Sequence, residues 1–171
     1  MRITRLLLWL FVIDLGIAFG AGLYEHRIVV PTWITAGADG PVWNAAAARA
    51  ADTGLRFWAY VTTGPLTLLA MANLVAAWRS TGPARRPWLI AALAAGADRL
   101  LTFAYFIPTM ISLMSAPDSA QSAARAAQWS ALNYGRHLLV LIAWIAAMRA
   151  LILVSQPDGV SHEGHDRRRG R

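Results

Sequence analysis

Four long apolar runs dominate the chain, at residues 6–24, 57–78, 87–114 and 131–154. A helix needs about 20 apolar residues to cross a bilayer core, or up to about 25 when tilted. Inside lipid the backbone has no water to bond, so each run must satisfy its own hydrogen bonds as a helix. The runs therefore predict an all-α fold: a four-transmembrane-helix up-down bundle over residues 1–154. The second run carries no charge, whereas the first holds Asp14, the third Asp98 and Arg99, and the fourth Arg136, His137 and Arg149. The third is longer than a span requires. Pro108 is expected to kink it or to begin an interfacial end, because an interior proline removes a helix hydrogen bond.

Arg2 and Arg5 before an apolar core are also the layout of a secretory signal, with Ala18-Phe19-Gly20 as a weak cleavage site. Asp14 interrupts that core, and Gly16-x-x-x-Gly20 is a helix-packing pattern, so the first run is read as an uncleaved span.

Composition agrees with a membrane chain, at 57% hydrophobic and 15% charged residues against about 45–50% and about 25% in soluble domains. The 16 basic residues are all arginine and give a formal charge of +7. On one soluble face such a surplus would suggest nucleic acid. Here the arginines fall between the apolar runs, so they are read as topology signals and no nucleic-acid partner is expected. Ten lie on the side of the termini, and only Arg27, Arg49, Arg56 and Arg125 lie opposite, with Arg136 just inside the membrane. The positive-inside rule then places both termini in the cytoplasm, with a bacterial inner (plasma) membrane as the expected location. The absence of cysteine excludes thiolate nucleophiles, disulfide exchange and thiolate metal sites.

The loop at 25–56 is too long for a plain connector in a small bundle. Residues 43–52 read as a short Ala-rich helix stopped at Gly54, and residues 115–130 read as a similar helix running toward Trp129. Both are expected to be interfacial helices or a lid over the outer mouth. The polar, basic tail at 155–171 is read as disordered and cytoplasmic, its arginines meeting anionic headgroups. Its Ser161-His162-Glu163-Gly164-His165 stretch lacks a third ligand, and no metal site is expected.

Ionisable groups inside a membrane face the bundle interior or a cavity. Steps of three or four residues place Glu25 on the face of Asp14 on span one, Arg56 with Tyr60 on span two, Thr102 with Tyr105 or Phe106 on span three, and Asn133 with Arg136 or His137 on span four. All point to one outer, aromatic-walled pocket. The bland readings compete: the tryptophans as an anchoring belt, Arg56 as a flanking charge, Arg136 paired with Glu25, Asn133 as interhelical glue, and His26 as a solvated loop residue. Asp14 lies about 12 Å and Arg99 about 18 Å from the inner face at the helical rise. Asp14, Asp98 and Arg99 are therefore read as structural intramembrane charges, with an Asp14–Arg99 pair locking spans one and three. A proton path is the alternative.

Together these residues resemble the DUF1772 membrane family, also called the anthrone oxygenase family, over about residues 7–153. The resemblance rests on Gly20-Ala21-Gly22-Leu23-Tyr24-Glu25 before Pro31-Thr32-Trp33, on Arg56-Phe57-Trp58 before Pro65, on Thr102-Phe103-Ala104-Tyr105-Phe106-Ile107-Pro108, and on Trp129, Asn133 and Arg136 before Arg149-Ala150-Leu151. It implies a four-helix membrane protein that oxidises anthrones to anthraquinones without metal or flavin, hence no cofactor. Asp14, Asp98, Arg99 and His137 are not part of the family pattern. Such chemistry needs a base, a cation for the enolate or peroxide, and a dry aromatic enclosure. Glu25 or His137 is then the base, with Arg136 and Arg56 as oxyanion partners. Asn133, Tyr105 and Tyr60 would orient the substrate, and Trp58 would stack on it. The competing reading is a non-enzymatic membrane protein that binds a lipid, a quinone or a partner subunit. A homo-oligomer fits either reading.

Overall fold

The computed structural model describes residues 2–38 and 40–156. In chain order its α-helices are α1 (Arg2–Tyr24), α2 (Ala45–Ala51), α3 (Gly64–Arg79), α4 (Arg85–Leu101), α5 (Ile107–Met114) and α6 (Ala120–Ser155). Four helical stretches, Ile3–Trp33, Gly54–Arg79, Arg85–Met114 and Ala120–Ser155, are long and apolar enough to cross a membrane. The expected all-α four-helix bundle is what forms. Helix α1 packs on α3, α3 on α4, α4 on α6 and α6 on α1, which closes an up-down-up-down ring. The start of α1 and the end of α6 share one end of it, where Arg5 Nη2 donates to the Val154 carbonyl at 3.2 Å. The opposite end is the distal end.

The most extensive pairing, α4 on α6, follows from small residues at helical spacing. Ala91 and Ala95 on α4 share one buried core with Ala143, Ala147 and Ala150 on α6, and small side chains let two helix backbones approach closely in lipid. Leu8, Phe11, Leu15, Leu66 and Trp88 fill the rest of this core. Asn73 is buried there and satisfied: its Oδ1 accepts from Trp88 Nε1 at 2.9 Å, and its Nδ2 donates to the Leu69 carbonyl at 2.9 Å. Outward-facing Ile13, Leu68, Met71, Leu93, Leu100 and Ile152 are exposed, an apolar surface suited to acyl chains.

Three spans change their winding near the distal end. Residues Glu25–Val29, Gly54–Thr63 and Thr102–Phe106 are π-helical. A proline follows each segment at the same offset: Pro31, Pro65 and Pro108. A proline ring clashes with the carbonyl four residues back, here Arg27, Val61 and Ala104, and cannot donate to it. Widening the turn removes the clash. Val30 N–H bonds to the Glu25 carbonyl, Gly64 N–H to Ala59 and Ile107 N–H to Thr102, each five residues back. Helix α5 continues directly from the wide turn, so Pro108 does not end the helical stretch, which runs on to Met114.

A cap covers the distal end. A 3₁₀ turn, Val30–Trp33, leads into an antiparallel hairpin of β1 (Ile34–Gly37) and β2 (Gly40–Trp43), with Ile34 opposite Trp43 and Gly37 opposite Gly40. Gly40 has φ 122°, which favours glycine. The sequence reading contained no hairpin. Asn44 caps α2 by accepting from Ala47 N–H at 2.9 Å, and α2 ends at Asp52 in a left-handed conformation, before the expected stop at Gly54. Trp43 Nε1 donates to the Leu113 carbonyl at 2.8 Å, and Arg49 donates to the Met114 carbonyl, so the cap is tied to the end of α5. The expected separate helix before Trp129 is instead the start of α6, capped by Ser119. At 36 residues this helix is about 54 Å long, longer than a bilayer core about 30 Å thick. Residues 157–171, which hold most of the expected tail and its His-Glu-Gly-His stretch, lie outside the described residues.

Candidate functional site

Beneath the cap, the distal ends of all four spans enclose a cavity of about 110 Å³. Trp33, Trp58, Phe106 and Trp129 give it aromatic walls. Its charged, imidazole and amide groups come from three spans: Glu25 and His26 from the first π segment, Arg99 from α4, and Asn133, Arg136 and His137 from α6. The α6 set is one stripe, because residues three and four apart lie on the same helix face. The wide turn at Glu25–Val29 carries the first pair inward at a point where a loop was expected to begin. Glu25 Oε1 accepts from Thr53 Oγ1 at 2.5 Å.

The charges are organised around Asp98, whose side chain is fully buried. Arg99 Nε donates to Asp98 Oδ2 at 2.9 Å, and Arg99 Nη2 contacts the same oxygen. Arg136 Nε lies 3.1 Å from Asp98 Oδ1, an ion pair by distance although its N–H is not aimed along a hydrogen bond. One carboxylate thus holds two guanidinium groups and ties α4 to α6. The Arg136 guanidinium also sits 5.0 Å from the Phe106 ring centroid, in the range of a cation–π contact. The expected Asp14–Arg99 and Glu25–Arg136 pairs do not form, since Asp98 takes both arginines. Asp14 is buried, and neither of its oxygens has a hydrogen-bond partner among the described residues.

Read from sequence as solvated, His26 is buried. Its Nε2 lies 3.0 Å from Ser130 Oγ, and its ring packs edge-on against Tyr134 and His137, at 4.4 and 5.8 Å between centroids. Gly22 makes this packing possible, because a Cβ there would come within 2.7 Å of His137 Cε1. Gly22→Ala is expected to cost about 1–3 kcal/mol through overpacking. At Gly20 a Cβ meets nothing within 4 Å, so Gly20→Ala is expected to be neutral, or stabilising by up to about 1 kcal/mol. Thermal unfolding of both variants in one detergent checks the contrast.

Not every sequence candidate reaches the cavity. Glu25, Trp58, Arg99, Asn133, Arg136 and His137 line it, whereas Arg56, Tyr60 and Tyr105 do not. Arg56 points outward, its side chain 75% exposed and 3.9 Å from Asp52, and Tyr60 is 76% exposed. Both sit in the π segment Gly54–Thr63, where the four-residue step of an α-helix no longer stacks side chains on one face. Tyr105 packs edge-on against Phe106 instead. Trp33, Trp43, Trp88 and Trp129 are buried and so do not form an interfacial belt, whereas Trp78 is 69% exposed. Thr53 was missed as a site residue, and of the two alternatives on span three, Tyr105 or Phe106, it is Phe106 that lines the cavity. No group of three or more His, Cys, Asp or Glu side chains able to hold a metal occurs among the described residues. No family model, curated protein or solved structure matches the chain.

Proposed function

We propose that this chain is an integral membrane protein of the DUF1772, anthrone oxygenase type, which oxidises a flat aromatic enol or phenol with O₂ and needs no cofactor. On the arginine asymmetry, both termini face the cytoplasm of a bacterial inner membrane and the cavity lies toward the outer side. One observation carries the reading. A carboxylate, Glu25, and two guanidinium groups, Arg99 and Arg136, converge on a single aromatic-walled cavity within the membrane-spanning bundle.

The ring oxygen of the substrate anion lies against the guanidinium groups, and the ring lies against Phe106 and Trp129. The electron-rich carbon opposite that oxygen forms a C–O bond with O₂, which is reduced to a peroxide and protonated. Glu25 removes the hydrogen remaining on that carbon as a proton, the O–O bond breaks, and the departing oxygen leaves as water. The products are one quinone and one water for each O₂ consumed. Arginines aimed at the developing negative charge, in an aromatic-walled site, supply the electrostatic stabilisation. Arg99 fills the role that the sequence reading gave to Arg56.

The test uses purified, chelator-treated protein in detergent with two substrates, anthrone and an electron-rich trihydroxybenzene. Oxygen uptake above protein-free micelles, with one quinone per O₂, is the expected result. Saturable binding without oxygen uptake on either substrate would overturn the enzymatic reading in favour of a ligand-binding membrane protein. Activity lost to chelation and restored by metal would overturn the cofactor-free part.

A further inference from the structure

The cavity opens on one side of the bundle. On span one and α6 most of its lining residues are buried, as at Gly22, His26, Val30, Trp33, Asn133 and His137. The two lining residues that are exposed are Gly54 on span two and Ile107 on span three, the latter by 36%. The packing of the spans agrees. Helix α3 packs closely on α4, but the π segment Gly54–Thr63 leans on α1 and has no comparable packing on Thr102–Phe106 or on α5. Spans two and three therefore part toward the distal end, with the cavity behind the gap.

Depth places that gap in the membrane. At the helical rise, Trp58 lies about 31 Å from Arg79 at the basic end of its span, and Ile107 about 33 Å from Arg85. Both stand at the far border of a hydrocarbon core about 30 Å thick. The lips at this level, Trp58, Ile107 and Met110, are aromatic or apolar, and Val61, Phe103 and Ile111 near them in the chain are exposed. Farther in, the carboxylates of Glu25 and Asp98 balance the guanidinium charges of Arg99 and Arg136. A neutral polar group meets hydrogen-bond partners there without adding net charge to the bundle interior. An aromatic body with one polar tip settles at the same border, as Trp and Tyr side chains do.

We propose that the cavity is entered sideways from the bilayer, between the π segment of span two and the residues around Ile107 on span three. Its ligand is an uncharged, membrane-dissolved phenol or enol whose polar end reaches the charged wall while its apolar body lies in the gap. Because the cavity is open on this side, its volume of about 110 Å³ does not limit the ligand to one ring. This rests on the cavity being the binding site of the proposed function, but not on its oxidising activity.

The chain has no cysteine, so single cysteines report on the gap in full-length protein in phosphatidylcholine nanodiscs. A nitroxide on Ile107→Cys is expected to collide more often with O₂, which concentrates in lipid, than with a water-soluble nickel chelate. The reverse order would overturn the proposal. Entry is read from the association rate of tritiated 4-nonylphenol with immobilised nanodiscs, empty discs subtracted. A bulky pyrenylmaleimide adduct on Ile107→Cys is expected to slow association at least about tenfold, an added barrier of about 1.4 kcal/mol. The same adduct on Leu138→Cys, an exposed position of α6, is expected to leave the rate unchanged. At Gly54 an added Cβ meets nothing within 4 Å, so Gly54→Phe probes the end of the gap nearest water. Equal rates for the two adducts, or slowing by Gly54→Phe alone, would overturn the sideways route. Absence of saturable 4-nonylphenol binding to the unaltered protein would overturn the ligand class. Anthrone oxidation together with an unhindered Ile107 adduct would refute this inference and leave the oxygenase reading intact. Binding of 4-nonylphenol that the Ile107 adduct blocks, without oxygen uptake by the unaltered protein, would do the reverse.

Discussion

Asp98→Asn is expected to destabilise the bundle by about 3–5 kcal/mol, the cost of breaking a buried ion pair from one side. The side chain is fully buried, and its two oxygens are the ion-pair partners of Arg99 and Arg136. Without the negative charge, two guanidinium groups remain close together in a low-dielectric interior, and their repulsion adds to the loss of attraction. Against a total stability of about 5–15 kcal/mol, such a loss is a large fraction. Chemical denaturation in detergent measures it. A second variant separates charge balance from packing: with Asp98→Leu, Arg99→Leu and Arg136→Met combined, no buried charge of the trio is left uncompensated. Apolar replacement of a complete buried ion pair is often neutral or stabilising, so this variant is expected to regain most of the lost stability while binding no ligand. The three side chains touch, so their effects are not expected to add.

The second large effect is on turnover. Glu25→Gln is expected to lower kcat by about 10²–10⁴-fold, the usual contribution of a positioned general base. The amide keeps an oxygen that can accept from Thr53 Oγ1 in place of the present bond, so the cavity wall should hold its shape and ligand affinity should survive. Oxygen uptake under saturating substrate, beside a binding measurement, distinguishes the two quantities. Full turnover in Glu25→Gln would move the base to His137, whose Nε2 is buried without a hydrogen-bond partner among the described residues.

Much of the architecture was legible before any coordinates, and for a simple reason. Lipid permits only self-satisfied helices, so run length alone predicts four spans and their alternating direction. Helical spacing likewise predicted the Asn133, Arg136 and His137 stripe, because α6 is regular from Ser119 onward. The reading failed where helix geometry changes. Arg56 and Tyr60 were assigned to the pocket by four-residue steps through a segment that is in fact π-helical. The proline after each wide turn was visible, but a proline is also compatible with a kink or a helix end, and only the hydrogen bonds decide among these. Burial of His26 was hidden for the same reason, since residue 25 looked like the start of a loop.

The charge network shows a different gap. Rise per residue gives a depth for Asp14 and Arg99 but no rotational angle. The neighbour Asp98, one residue from Arg99, was therefore not recognised as the carboxylate that collects both arginines. The hairpin was not expected, because strands of four residues carry little periodicity.

The most direct test of the proposed function is oxygen consumption by the unaltered protein and by Arg136→Ala, measured side by side on anthrone and a trihydroxybenzene. The expected result is uptake above empty micelles for the unaltered protein on at least one substrate, and a fall of about 10²–10³-fold in the variant, the cost of losing one oxyanion donor. Uptake equal to empty micelles on both substrates, or equal rates for the two proteins, would contradict it.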